Sequence, residues 1–351
     1  MNKITSKILL SVILILFACK KEDKGKISEN KKAQWINNAF TSLENNNYPK
    51  VKAISWWHED FDNSFLKVNS SNESLQAYIN GVSSSKFIVT STIVSNKLVE
   101  PNTGIYHSAY PDFGGTEDIV TSERINNFET LVKKKIVWAY FSNNWYDNIK
   151  FPTTAVNTIH STGTIPFIRM MPRSNFDEGG PDPKYTMQKI INGDFDTELT
   201  QWAIDAANTN IPLLVEFGTE VNGNWFPWNG QYNGAGETTG YGDVNLPDGA
   251  ERFKDAYRHI IDICNTNGAS NITWFFHVDA YSEPNVDWNR IENYYPGDNY
   301  IDWLGVSIYG PQESDEDYQE FSEIMNDIYP KLTNLTDKPM AVLEFAITEM
   351  E

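Results

Sequence analysis

Two glutamates, Glu216 and Glu220, stand four residues apart in EFGTEVNGNWFPWNG, followed at once by an Asn-Gly turn and by Trp225, Phe226 and Trp228. A third, Glu344, sits in PMAVLEFAI. Carboxyls at neutral pH can either keep a proton and donate it or lose it and attack electrophilic carbon, depending on their surroundings. Two of them across a glycosidic bond can cleave it, one protonating the leaving oxygen while the other attacks the anomeric carbon. Aromatics crowded behind a turn suit a ligand with flat apolar faces and many hydroxyls. A lone glutamate at a strand end also serves commonly as half of a structural ion pair, so the pattern alone leaves both uses open.

Such groups need a scaffold, and the chain alternates two patterns throughout. Helical periodicity occupies residues near 31–46, 71–81, 120–134, 153–162, 186–208, 250–267, 287–294 and 316–335. Between these lie the short apolar runs VKAISWW, TGIYHSAY, KIVWAYF, IPFIRMM, IPLLVEF, ITWFFHV, IDWLGVSIYG and PMAVLEFAI. Continuous rather than alternating apolar runs suit parallel strands covered on both sides. Eight of them, each flanked by a helix and none followed by a Gly-rich phosphate loop, predict a single α/β domain over residues 31–351, a closed (β/α)8 TIM barrel. Chemistry in such a barrel sits at the C-terminal ends of the strands. Residues of equal parity share a strand face, which puts Leu214, Glu216, Gly218 and Glu220 together, Glu220 at the mouth and Glu216 deeper. The alternation opens with a helix and stops at a strand, so either the barrel is truncated or its order is rotated.

The formal charge of −19 argues against nucleic acid or an anionic membrane surface as a partner. A neutral ligand is left open, and 11 Trp with 17 Tyr favour one that can be stacked upon. Cys264 falls on the helical stripe Phe253, Tyr257, Ile260, Ile261, Cys264 and is expected in the core. The five histidines are scattered and no Cys/His cluster has metal-ligand spacing, so neither a metal nor an organic cofactor is expected. Residues 1–19 read as an export signal: Lys3 and Lys7 precede an apolar run too short to span a bilayer. Its end, LFAC, resembles a bacterial lipobox, which implies lipidation of Cys19; a plain secretory signal with an incidental cysteine is the alternative. KKEDK resembles the signal that sends Bacteroidetes lipoproteins to the outer face of the outer membrane, and residues 20–30 would form a polar tether.

TEVNGNWFPW resembles the acid/base segment of glycoside hydrolase family 26, the clan-A family of β-mannanases and related endo-β-glycanases, whose usual pattern is His-Glu-Met-Asn-Gly, one variable residue, Trp-Phe and a further Trp. The resemblance implies that Glu220 is the acid/base and that Trp225 and Trp228 belong to the sugar-binding cleft. DKPMAVLEFAI is similar to the family's nucleophile strand, implying Glu344 as nucleophile, and DWLGVSIYG to the strand before it, implying that Tyr309 lies beside that nucleophile. Residues 31–65 resemble the end of a family barrel: its seventh helix, its eighth strand and the start of the connection after that strand. The family's first strand is matched only at TGIYHSAY. The chain thus resembles a circular permutant that ends at the family's seventh strand and joins the ordinary termini through residues 87–102.

Two positions depart from that pattern. Thr219 stands where the family usually has histidine, and Glu216 where mannanases typically have arginine. A buried unpaired carboxylate is costly, so Glu216 needs a partner; Arg169 in FIRMM is the expected one, with Arg173 nearer the loop. Phe226 and Asn222 are placed with the substrate-binding residues, Asn222 mainly as a former of the turn. Trp56 is open between a place under the sugar and core packing, and Trp57 is expected to face the helices. Trp274 and Trp303 are expected in the core, whereas His107 and His277 could bind hydroxyls or be structural. The loop at residues 229–249 could wall the cleft or be a solvated insertion. The implied activity is retaining, endo-acting hydrolysis of a β-linked plant or algal polysaccharide. β-1,4-Mannan leads; β-1,3-xylan, mixed-linkage β-glucan, or a surface barrel that binds glycan without cutting it are the alternatives.

Overall fold

The computed structural model describes residues 30–176, 179–313 and 315–350. The expectations for residues 1–19, for Cys19 and for most of the tether lie outside the described residues. No described helix is long and apolar enough to cross a membrane.

Eight parallel strands form the barrel: β1 (Val51–Trp57), β2 (Ile105–Tyr110), β3 (Trp138–Asn144), β4 (Ile165–Met171), β5 (Leu213–Phe217), β6 (Ile272–Asp279), β7 (Trp303–Tyr309) and β8 (Met340–Ala346). Each pairs with its neighbours in chain order, and β1 pairs with both β2 and β8, which closes the ring. The expected apolar runs are the observed strands, shifted by up to three residues at their starts. Among the described residues, seven longer helices pack outside: α1 (Lys31–Glu44), α2 (Asn72–Ser83), α3 (Ser122–Val132), α4 (Thr153–Ser161), α5 (Asp196–Thr209), α6 (Asp248–Thr266) and α7 (Phe321–Leu335). Between β6 and β7 the 3-10 turn Asp287–Asn289 and the single α-helical turn Ile291–Tyr294 take the helix's place.

The helices begin where side chains can satisfy their first free N–H groups. The oxygens of Asn30, Ser71 and Thr121 accept from Ala33, Ser74 and Arg124, respectively. Helix α6 buries Phe253, Tyr257, Ile260, Ile261 and Cys264, the stripe read from the sequence. Trp274 and Trp303 are core, as expected. His107 is structural, held between the Tyr78 hydroxyl and the Lys135 carbonyl.

Residues 87–102 close the N-terminal end of the barrel. Phe87–Ile88 runs beside the start of β2, and a small hairpin pairs Ile93–Val94 with Lys97–Leu98. Leu98 N–H donates to Thr273 Oγ1 at 2.8 Å, and its carbonyl accepts from Trp303 Nε1 at 3.1 Å.

On β1 Trp57 takes the face opposite to the one expected, and Trp56, which the sequence left open, is core. Trp56 points to the helix layer, packed against Trp35 of α1, Tyr78 of α2 and Phe345 of β8. Alternation then turns Trp57 into the barrel, where it stacks on Tyr110 with ring centroids 4.0 Å apart. Trp35 itself meets Trp56, Phe321 and Phe345, so α1 shares one aromatic cluster with β1, β8 and α7. Truncating a buried tryptophan of this kind costs about 3–5 kcal/mol. Trp35→Ala should lower stability in denaturant titration by that amount, and a loss below about 1 kcal/mol would mean that α1 is not an integral part of the barrel.

Candidate active site

β5 leaves the extended conformation at Phe217. Gly218 has φ +65° and Glu220 φ +47°, so the parity that runs through Leu214 and Glu216 does not carry to Glu220. The turn, not the strand face, aims this carboxyl. A side chain at position 218 would be both strained and 2.7 Å from Phe253, which is why glycine stands there. Neighbouring loops fix the turn from several directions. Asn222 donates to the Asp279 carbonyl at 3.0 Å and to Ser282 Oγ at 3.1 Å, and it accepts from Asp279 N–H at 2.8 Å. Trp228 Nε1 donates to the Thr219 carbonyl at 2.7 Å, and Asn229 to the Val221 carbonyl at 2.8 Å.

Across the barrel, Glu344 of β8 accepts from the Tyr309 hydroxyl of β7 at 2.8 Å. Carboxylate oxygens of Glu220 and Glu344 and a ring nitrogen of His277 all lie within 4.8 Å of one another. Glu220 Oε2 accepts from Trp225 Nε1 at 2.8 Å. Glu344 Oε1 is buried with no hydrogen bond, facing Arg169 Nη2 at 3.3 Å.

Beneath the pair lies a buried charged layer. Arg169 donates to Glu117 at 2.7 Å, stands 3.5 Å from Glu216, and has its guanidinium over the rings of Trp57 and Tyr140 at 5.0 and 5.1 Å. Glu216 is fully buried, accepts from the Tyr140 hydroxyl, and meets His277 Nδ1 at 2.9 Å. That nitrogen also lies 2.8 Å from Thr219 Oγ1, while Nε2 lies 2.9 Å from Ser307 Oγ. Arg169 is thus one partner of Glu216, as expected, but the closer ones are His277 and Tyr140.

These contacts set the protonation states. Burial alone would raise Glu216 and lower His277, but their mutual attraction and hydrogen bond outweigh it, so Glu216 is shifted down and His277 up. For Glu344 burial wins: it lifts the carboxyl to about 8, with Glu220 adding repulsion and Arg169 opposing. Glu220, His277 and Glu344 form the metal-capable cluster found among the described residues, yet both nitrogens of that imidazole are already engaged by protein groups.

The mouth above the pair is a cavity of about 680 Å3. Trp57, Phe176, Trp225, Phe226, Tyr281 and Tyr309 give it aromatic walls, with Glu220, Glu344 and Arg169 at its base. Of the substrate-binding residues named from the sequence, Trp225, Phe226 and Tyr309 line this cavity. Trp228, Asn222 and Trp56 are not among the residues that line it. Trp228 is fully buried, stacked on Phe226 with centroids 4.5 Å apart and tied to the backbone of Thr219, so it stiffens the loop rather than meeting a ligand. Asn222 commits its amide to the loop at residues 279–282, and Trp56 faces the helices. The loop at residues 229–249 folds back on α6 through Asp248, Glu251 and Arg252 and does not wall the cavity. Glu59, Glu117, Tyr140, Asp279 and Ser307 escaped the sequence reading. A parity count starting from Trp57 would have found the right tryptophan, but nothing local marks Glu117 or Ser307.

A parallel (β/α)8 barrel with a close pair of buried glutamates at its C-terminal mouth is a fold and site that many barrel enzymes share. Residues 182–345 match the model of glycosyl hydrolase family 26. Endoglucanase H of Acetivibrio thermocellus is 26% identical over 271 residues, 75% of this chain and 27% of that protein. The β-1,3-xylanase TXYA of a Vibrio species is 24% identical over 37% of this chain and 24% of its own length. Mannan endo-1,4-β-mannosidase A and B of Caldalkalibacillus mannanilyticus is 25% identical over 40% of this chain and 23% of its own length. The chain thus spans about a quarter of the length of these curated relatives. Among solved structures, a GH26 β-mannanase from Bacteroides ovatus is similar at 13% identity and TM-score 0.42, covering 90% of this chain and 76% of that one.

Two outcomes test the charge layer. Arg169→Met leaves Glu117, Glu216 and Glu344 without their shared cation and should cost about 3–5 kcal/mol; a stable variant would show that His277 and Tyr140 suffice for Glu216. The raised Glu344 means that, between its ordinary value and about 8, the native state holds a proton the unfolded chain has released, so stability falls as pH rises through that window. Glu344→Gln should therefore gain melting temperature on the wild type between about pH 5 and about pH 8.5, whereas parallel profiles would mean an ordinary carboxyl.

Proposed function

We propose that the chain is a retaining, endo-acting glycoside hydrolase of β-linked polysaccharide, with β-1,4-mannan the leading substrate. The observation that carries this reading is the closeness of Glu220 and Glu344, with oxygens within 4.8 Å at the base of an aromatic-walled cavity. Retaining enzymes hold their carboxyls about 5–5.5 Å apart, whereas inverting ones leave room for a water at about 6.5–9.5 Å.

In this reading Glu344 attacks the anomeric carbon through Oε1, the oxygen with no hydrogen bond, while Tyr309 holds Oε2. Arg169 stabilises its anion from below. Once Glu344 is ionised, Glu220 gives a proton to the leaving oxygen; Trp225, bonded to its Oε2, sets its direction. Departure of the leaving group gives a glycosyl ester on Glu344. Glu220, now ionised, takes a proton from water, which attacks the same carbon and restores the first configuration. Trp57, Trp225 and Phe226 offer faces for the sugar rings.

β-1,3-Xylan or mixed-linkage β-glucan is the second reading, supported by the names of the xylanase and endoglucanase relatives and by Thr219 and Glu216 at positions where mannanases differ. The resemblance of residues 31–65 to the end of a family barrel supports a barrel whose order is permuted, with residues 87–102 as the joining segment. Export as a lipoprotein through Cys19 to the cell surface completes the proposal. It rests on the sequence of residues 1–24 alone, and acyl labelling that survives Cys19→Ala would end it.

The decisive experiment is product release from mannans, xylans and β-glucans by the protein lacking residues 1–19, with the anomer followed by NMR. One polymer should yield β-configured products, and Glu344→Ala should lose at least about 1,000-fold in rate. Glu220→Ala should lose about 100–10,000-fold on polymer yet much less on an aryl glycoside with a good leaving group. Binding of a polymer with no product would favour the non-catalytic surface barrel.

A further inference from the structure

Glu59 comes two residues after Trp57 and lines the same cavity, yet its carboxyl makes no hydrogen bond or ion pair with any described residue. Burial raises it to about 7, with repulsion from Glu117 and Asp112 adding and Arg169 and Lys67 opposing. Lys67 is itself paired to Asp112 at 2.9 Å, and Arg169 is shared among Glu117, Glu216 and Glu344. Among the described residues no cation is left for Glu59. The remaining wall has the same sign: Asp62, Asp279, Glu316 and Asp317 also line the cavity, where Arg169 is the one basic residue among those described. The base of the cavity holds a second unsatisfied group, the buried Glu344 Oε1.

A carboxylate held half-buried among like charges is costly to keep, and such costs concentrate at functional sites. A ligand that brings donors and no negative charge relieves it. Adjacent hydroxyls of a sugar ring do this, because one carboxylate can accept from both.

Resting on the hydrolase reading above, we propose that Glu59 is a substrate-recognition residue that accepts hydrogen bonds from hydroxyls of an uncharged sugar, and that the acidic cavity thereby rejects glycans bearing carboxylate groups. The position of Glu59 beside Trp57 lets one sugar unit stack on the indole while its hydroxyl edge meets the carboxylate. A uronate in the same place would add charge to a wall whose described residues hold no free cation to answer it.

The test measures binding, so that it does not depend on turnover. Glu344→Gln protein, near pH 8 where Glu59 is ionised, is titrated with a neutral β-1,4-manno-oligosaccharide and with the same oligosaccharide oxidised to carry C6 carboxylates. The neutral ligand should bind at least about tenfold more tightly at low salt, and the gap should narrow as ionic strength rises and screens the repulsion. Glu59→Leu should weaken the neutral ligand by at least about tenfold, a loss of the size expected when a buried hydrogen-bonding group is removed. Glu59→Gln keeps an acceptor of the same shape, so it should retain most neutral binding and improve the oxidised ligand relative to it. Equal binding of the two ligands, or a Glu59→Leu protein that is folded by circular dichroism and binds the neutral ligand as its parent does, overturns the proposal. Wild-type protein that binds the neutral ligand but releases no product from any polymer would overturn the hydrolase reading and leave the role of Glu59 in recognition standing.

Discussion

A guanidinium shared among three carboxylates is the interaction on which the site depends. Arg169 comes from the middle of β4 and reaches Glu117 above β2, Glu216 on β5 and Glu344 on β8. Charges so far from water persist only when they are paired, and one cation cannot neutralise three anions. His277 supplies the second positive centre, and hydroxyls of Tyr140, Thr219 and Ser307 complete the layer. The proton that burial keeps on Glu344 completes the charge balance of the resting site. Moving any one of these groups shifts the charge available to all the others.

The scaffold's part is to bring these groups to one level from strands distant in sequence. Side chains on adjacent parallel strands lie level when their residues are paired in register, as Glu216 and Arg169 are. Glu220 is the exception, since it leaves β5 on a turn held by Asn222, Trp228 and Asn229 from outside. Those residues stiffen the acid's backbone while leaving its carboxyl to Trp225.

How much of this the sequence disclosed depends on which rules are local. The eight strands were legible because each is a continuous apolar run, and the parity of β5 put Glu216 inside correctly. Parity failed at Glu220, where a left-handed backbone breaks the alternation, although the motif around it still marked the residue. It failed in a different way on β1, where Trp56 and Trp57 are equally bulky and only the aromatic cluster of α1, α2 and β8 decides which one faces out. Glu117 and Ser307 were invisible because their roles exist only through Arg169 and His277, which no spacing rule connects to them. The loop at residues 229–249 read as open because its acidic and glycine-rich composition hides how well it caps α6.

The ring closes where β1 meets β8, pairing Val51 with Met340 across nearly the whole described sequence. The strand that carries Glu344 is therefore set between a neighbour made shortly before it and one made long before. Contacts of such separation form late, because the intervening chain must first be ordered. During synthesis the barrel would stand open along one seam, with the Glu216 and His277 layer in place and its last carboxylate missing. The strand that seals the barrel against water is thus also the one that brings Glu344 to Arg169.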